Sequence, residues 1–535
     1  MAWRPNPASV LNRKSLRAAL SFPVFLGLLL ALGVAVRAQQ NPMDPDSWWH
    51  VAVGERLLQG ADFPETDPFS YTAVGTSWIA YEWFGEVLMA GAARLGGLQG
   101  HSFLLLAWSI LLFLLLYYYA YLRSRNWKAA FAACAVVLPL AGIFFTFRPQ
   151  LLGYCFLVLT LVCLEKFRSG SEKAIWALPF IFIVWVNTHG SFAFGLFVVG
   201  LYWLSGLAQF QWGGLIGEKW TPQQRLSLTL AMLLSVAALV ITPYGARIAA
   251  YPFEMALLQP GNVANIIEWQ PLTTSLSFGK YFVVVLLLYF LAQTVARQTF
   301  RAHELALLLF GVYCASLHRR FLIIFVIVFA PLLAALLARW FPPYDAAKDR
   351  PLFNAALAVP MLVAIVWIFP SESALREQAE SSYPQGAVEY LQIHPIEGPL
   401  WNEYAWGGYL IWARHPQHRV FIDGRADIYE YSGVLADYMR IVRLHSGTLS
   451  LLQKYDIRAS LVRRDSPLGT LLRSAPGWSP AYADEVSELF VYRGSSAMTE
   501  TVSRMSSPAK ESPASVALAT QPELRQAHFD TVPNR

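Results

Sequence analysis

Residues 41–50 read N-P-M-D-P-D-S-W-W-H. Two carboxylates, Asp44 and Asp46, flank a proline, and His50 follows one helical turn after Asp46. Such a pair can chelate a divalent cation, or one acid can act as a general base while the other tunes it. The triplet is short, however. An aspartate just ahead of a helical stretch such as S-W-W-H-V-A-V-G-E-R-L-L is also what an N-cap looks like.

The elements that must position these acids are apolar. Of 535 residues, 56% are hydrophobic and only 14% charged, against about 25% charged in a soluble domain, which marks a membrane protein. Apolar stretches of spanning length lie near 18–36, 102–122, 129–147, 149–165, 174–188, 190–210, 226–243, 281–297, 303–317, 321–339 and 352–370. About eleven transmembrane helices are therefore expected, with ten or twelve as the neighbouring counts. The four cysteines all fall inside apolar runs, so they read as small hydrophobes rather than disulfides or zinc ligands.

The net charge is +6, and its placement suggests topology rather than nucleic-acid binding. Basic residues crowd short loops: Arg123, Arg125 and Lys128; Lys166, Arg168 and Lys173; Lys219 and Arg225; Arg297 and Arg301; Arg339, Lys348 and Arg350. With Arg4, Arg13, Lys14 and Arg17 ahead of the first span, the N-terminus is expected in the cytoplasm of a multi-pass inner (plasma) membrane protein. Alternation then puts 37–101, 244–280 and everything after 371 outside. Val36-Arg37-Ala38 can alternatively be read as a signal-peptidase site, which leaves the following chain outside as well.

Alternation brings further polar residues to that outer side. They are Glu82 in A-Y-E-W, Arg148 in F-R-P-Q, Asn187 and His189 in V-N-T-H-G, Glu268 in N-I-I-E, and Arg319 and Arg320 in L-H-R-R-F. Charge beside a bilayer is costly and usually either functional or paired. A guanidinium fork grips phosphate oxygens two at a time. Acids and arginines gathered on one face therefore suggest transfer from a lipid-linked phosphate. Asp46, partnered by Asp44, would activate an acceptor hydroxyl, while Arg148, Arg319 and Arg320 would hold the leaving phosphate. His50, Glu82, His189 and Asn187 are candidate supporting groups. Each has a plainer reading: snorkelling for the arginines, a helix-ending turn for Asn187 and His189, a surface position for His50, and ion pairs for Glu82 and Glu268.

Residues 38–101 form a long outer loop, rich in Trp and Tyr, of the kind that lies in the interface. After residue 371 the composition turns soluble. Helix-like A-V-E-Y-L-Q-I-H, strand-like R-V-F-I-D-G and strand-like I-R-A-S-L-V-R-R predict a small α/β extracytoplasmic domain over 371–494. Asp423, Arg425 and Asp427 read as an ion-pair and turn cluster. Trp401, Tyr404, Trp406, Tyr409 and Trp412 suit sugar stacking, a core or membrane docking alike. The Ser-, Pro- and Ala-rich stretch 495–535 is expected to be a disordered tail.

The layout resembles the type C glycosyltransferases (GT-C), polytopic enzymes that use polyprenyl- or dolichyl-phosphate sugars. They include the protein O-mannosyltransferases and the catalytic subunit of oligosaccharyltransferase. Asp44-Pro45-Asp46 sits where that family carries an acidic motif after its first span. Asn265-Ile266-Ile267-Glu268 is similar to its T-I-x-E segment, and Trp406-Gly407-Gly408-Tyr409 with Phe421-Ile422-Asp423-Gly424-Arg425 to its W-W-D-Y-G segment and the strand beyond. Gly407 and Gly408 replace the Asp and Tyr of that motif, and F-R-P-Q stands where a second D-x-D occurs.

The resemblance implies a transmembrane domain over 1–370 and an inverting transfer from a polyprenyl-phosphate-sugar donor to a glycan, lipid or protein acceptor at the extracytoplasmic face. Membrane lipids are the surrounding partners and no nucleic acid is expected. It also implies Asp44, Asp46 and Glu268 as ligands of Mg or Mn if the reaction is metal-dependent. The alternatives are a non-enzymatic lipid-linked glycan transporter or envelope assembly subunit, and an inactive member of the same scaffold.

Overall fold

The computed structural model describes residues 17–39 and 44–494. Arg4, Arg13 and Lys14 and the expected tail 495–535 lie outside the described residues. After α1 (Phe22–Ala38) and α2 (Pro45–Leu58) come α3 (Trp83–Ser124), α4 (Trp127–Ala141) and α5 (Gln150–Arg168). Two further long apolar helices are α6 (Ser277–Ala296) and α7 (Leu322–Leu337).

Among the described residues, five helical stretches are long and apolar enough to cross a membrane: Trp83–Ser124, Trp127–Phe144, Gln150–Arg168, Ser277–Ala296 and Arg319–Leu337. Pro351–Trp367 with Glu372–Ser382, bent by 45°, makes a sixth if the pair is one span. The expected eleven is therefore not reached. The 17 residues of α1 rise only about 25 Å at 1.5 Å each, short of a hydrocarbon core of about 30 Å. The 174–188 stretch splits into a 3-10 turn, Glu172–Ala177, and a nine-residue helix, Leu178–Val186, with Pro179 at its start.

Local signals set the elements that matter for function. Asp44 is the N-cap of α2, accepting from the Asp46 backbone N–H at 2.9 Å, with Pro45 in the first turn. Asn126 caps α4 by accepting from the N–H groups of Lys128 and Ala129. The 42-residue α3 is broken at Gly96 and Gly97, and Gly97 takes φ +53°, a conformation open to a residue without a β-carbon.

Two sheets are present among the described residues. A small one joins β1 (Phe210–Trp212), β2 (Leu215–Gly217) and β3 (Phe300–Arg301). The second, in the segment after 371, comprises β4 (Leu400–Asn402), β5 (Ala459–Arg463), β6 (Trp478–Ala483) and β7 (Ser487–Tyr492) in the order β4-β5-β7-β6. β4 and β5 run parallel, and the β5–β7 and β6–β7 pairs are antiparallel.

Apolar side chains sort into two cores. One is built from the long helices. The other joins Trp48, Trp49, Val53, Phe69 and Trp78 of the first loop to Tyr383, Trp401, Trp406, Tyr409 and Phe490 beyond residue 371. Trp48 packs edge-on to Tyr383 and Tyr409 at 5.4 and 5.3 Å and lies 4.8 Å from Trp412. The first loop and the C-terminal segment thus share one interior. The paired tryptophans belong to that interior rather than to an interfacial belt, because their aromatic partners lie hundreds of residues away in sequence. Trp401, Trp406 and Tyr409 are buried with them, as core and not as an open stacking platform.

A charged tie reinforces the joint. Arg425 donates to Asp67 at 2.7 Å and to Asp423 at 2.6 and 2.8 Å, and Tyr429 donates to Asp423 at 2.5 Å. The Arg425 guanidinium also lies 5.0 Å from the Phe69 ring and 4.8 Å from that of Trp78. Backbone bonds between Phe69, Tyr71 and Val420 complete the seam.

Candidate active site

The acids after α1 become a site because α2 and the loop before α5 lock together. Ser47 donates to the Phe147 carbonyl at 2.7 Å, which fixes Arg148 beside the start of α2. Arg148 then meets Asp44 in a bidentate contact, Nε–Oδ1 2.7 Å and Nη2–Oδ2 2.9 Å. Its remaining nitrogen, Nη1, reaches Asp46 at 2.8 Å and Glu268 at 3.1 Å. Three carboxylates from two distant segments thus share one guanidinium. Capping falls to Asp44, which leaves Asp46, two residues on, free to face a cavity.

That cavity has a volume of about 220 Å³. Asp46, Trp49 and His50 line it from α2, with Tyr81 and Glu82 at the entry to α3. Arg148, Gln150, His189, Glu268, Trp269 and Arg320 come from the loops between the long helices. The C-terminal segment closes it with Tyr404, Gly424, Arg425 and Asp427. Gly424 lies against the Asp46 carboxylate and the Trp49 indole, where a β-carbon has no room. Gly408 likewise leaves no room for a β-carbon against the Pro45 carbonyl.

Burial and the surrounding charges tune the groups. Burial pushes the Asp46 carboxyl up to about 6; Arg148 pulls it down while Asp44 and Glu268 push it up. Burial pushes Glu82 up to about 8 against the pull of Arg148. The imidazoles of His50 and His189 are held low by burial, His189 at about 3, with arginines adding to the effect. Arg148, by contrast, holds Glu268 below the usual carboxylate range. Near neutral pH the wall therefore presents two ionised acids, Asp46 and Glu268, beside uncharged His50, His189 and a proton-holding Glu82.

The two arginines of the cavity differ in kind. Arg148 has its charge met by three acids. Arg320 lies 4.1 Å from the Trp269 ring, and among the described residues no carboxylate stands within ion-pair distance of it. Trp269 orients the guanidinium, whose charge adds to that of Arg148 in holding Glu268 low.

Of the residues singled out from sequence, Asp46, Glu268, Arg148, Arg320, His50, Glu82 and His189 converge on this cavity. Asp44 stands behind Arg148. Arg319 is not among the lining residues; its N–H donates to the Gln270 carbonyl at 3.0 Å. Asn187 is engaged elsewhere, accepting from the Trp83 indole at 2.7 Å and donating to the Ile183 and Ile241 carbonyls at 2.8 Å each. Glu86 was not anticipated, although its spacing of four from Glu82 is a helix-face signal. Asp427, which accepts from Tyr251 at 2.9 Å, had no signal of this kind in the sequence.

No family model matches the chain, and no curated protein matches it. Among solved structures it is similar to the apo oligosaccharyltransferase of Archaeoglobus fulgidus, with TM-score 0.45, 14% identity, and coverage of 83% of this chain and 69% of that one. It is also similar to ArnT from Cupriavidus metallidurans in the apo state, with TM-score 0.47, 15% identity, and coverage of 85% and 94%. For the arabinofuranosyltransferase AftD from Mycobacteria the TM-score is 0.47, the identity 14%, and the coverage 90% and 41%. Likenesses this faint carry no function from one chain to another.

Proposed function

We propose that the protein is a membrane glycosyltransferase that moves a sugar from a polyprenyl-phosphate carrier to an acceptor hydroxyl at the extracytoplasmic face, with inversion. The observation that carries this reading is the pairing, in one small cavity, of an ionisable acid (Asp46) with an arginine stacked on Trp269 (Arg320) that makes no direct ion pair among the described residues.

Asp46 takes the acceptor proton as the hydroxyl oxygen bonds to the anomeric carbon. The bond from that carbon to the phosphate oxygen breaks, and its electron pair leaves with the phosphate, which Arg320 stabilises. Asp44 and Glu268 act through Arg148, fixing the guanidinium that sets the position and the pKa of Asp46. Asp44, Asp46 and Glu268 do not fit Mg or Mn as they stand. Their three carboxylates already converge on Arg148 at 2.7 to 3.1 Å, and a guanidinium at that point takes the place a cation would need. The volume of about 220 Å³ is below the roughly 300–1,000 Å³ of drug-sized sites. It suits one sugar ring at a time.

The test uses the full chain in nanodiscs with a panel of polyprenyl-phosphate monosaccharides, scoring release of polyprenyl phosphate. Asp46→Asn should abolish release. Arg320→Gln should depress it, with partial recovery in Arg320→Lys. Release that is unchanged in Asp46→Asn would overturn the assignment.

A further inference from the structure

In the cavity wall, and reaching behind it to Glu86, lies a cluster to which the transfer steps give no role. Gly54 of α2 rests on the Glu86 carbonyl of α3 with no room for a β-carbon, so the two helices touch backbone to backbone. One turn earlier on α2, His50 is inserted between Glu82 and Glu86. Its Nδ1 is 3.0 Å from Glu86 Oε1, and its Nε2 is 3.5 Å from Glu82 Oε2. One donor atom from each of the three residues lies within 4.8 Å of the others. The three are 3%, 5% and 1% exposed for His50, Glu82 and Glu86 respectively.

Two carboxylates this deeply buried need a counter-charge or protons, and Arg148 is already engaged by other acids. The second oxygen of Glu86, Oε2, is buried without a hydrogen-bond partner. A tetrahedral ion with ligands at about 2.0–2.2 Å separates its donor atoms by roughly 3.4 Å; an imidazole serves one ion through a single nitrogen, and His50 Nδ1, 3.0 Å from Glu86 Oε1, is the nitrogen nearer that spacing to Glu86. His189 Nε2 stands 3.3 Å from Glu82 Oε1, as an outer partner that orients a ligand carboxylate does. Mixed imidazole and carboxylate donors suit zinc and its neighbours rather than magnesium or calcium.

We propose that His50, Glu82 and Glu86 hold a zinc-class divalent ion that ties α2 to α3 beneath the cavity, with His189 orienting Glu82. The ion fixes the helix whose first turn carries Asp46. It is separate from the three acids gathered on Arg148.

The experiment is metal analysis of the full chain in detergent, chelated and then reloaded with Zn²⁺, with metal per chain and thermal melting as readouts. About one ion per chain is expected, with a higher Tm in the loaded protein. Glu86→Gln should lower zinc affinity by more than about tenfold, and His189→Ala by about 10–100-fold. Asp46→Asn should retain the ion. Failure of the wild-type protein to take up zinc, or undiminished uptake in Glu86→Gln, overturns the proposal. If Glu86→Gln does not fold, X-ray absorption of the zinc-loaded wild type decides the matter: imidazole and carboxylate ligation supports the site, and water ligation alone overturns it.

Discussion

Arg148 and Asp44 meet fork to fork, Nε–Oδ1 at 2.7 Å and Nη2–Oδ2 at 2.9 Å, in a contact that leaves one guanidinium nitrogen to be shared by Asp46 and Glu268. The geometry is that of a planar fork and cannot be made by an ammonium. Arg148→Gln leaves three acids facing one another, and breaking a buried pair of this kind costs about 3–5 kcal/mol. Arg148→Lys should recover only part of that loss. Thermal melting in detergent measures both.

The pH dependence follows from Asp46. Its carboxyl sits at about 6 rather than 3.8, and a base must be ionised to accept a proton. kcat/KM should therefore fall about tenfold per pH unit below that value. Stability runs the other way. A folded-state pKa above the unfolded one means that the contribution of Asp46 is fully present below 3.8 and is lost as pH rises through about 6. Asp46→Asn should be inactive and yet melt higher than the wild type at pH 8. A wild-type acidic limb well below 5 would contradict the role of Asp46.

Gly424→Ala drives a β-carbon into the Asp46 carboxylate. The expected result is a folded, inserted protein with kcat lowered by roughly a hundredfold, the cost of a misplacement of about 1 Å. Gly433→Ala, at a glycine with no neighbour within 4 Å of its β-carbon position but at φ +76°, provides a contrast. It should cost some stability and leave kcat near that of the wild type.

Asp67→Asn removes one of the two acids around Arg425 and loosens the seam between the first loop and the C-terminal segment. About 3 kcal/mol of destabilisation is expected, together with earlier proteolytic cleavage between 60 and 80. Glu372→Gln breaks the partly exposed i,i+4 contact with Arg376 and should shift stability by less than about 1 kcal/mol.

Much of the site could be read from the residues alone, for a physical reason. A charged side chain at the end of a span has few stable alternatives to joining other charges there, so Arg148, Glu268, Arg320, Glu82 and Asp46 could be grouped from topology. Their pairings could not. Nothing local shows that Arg148 meets three acids at once, or that Arg320 stacks on Trp269. Asn187 shows the opposite failure, as a polar residue at a helix end that proves to bond to an indole and two carbonyls. The Trp-rich first loop reads as interfacial because the partners of Trp48, at 383, 409 and 412, are remote in sequence. The count of eleven spans is not confirmed, because turns and prolines shorten apolar runs, as at Glu172–Ala177 before Leu178–Val186.

The shared interior of the first loop and the C-terminal segment also sets a schedule. The helix that carries Asp46 emerges early from the ribosome, but Tyr404, Gly424 and Asp427, which close its cavity, are made hundreds of residues later. Until they arrive, the cavity at Asp46 has no roof. The wall of that cavity is thus complete only once the chain has been made as far as Asp427.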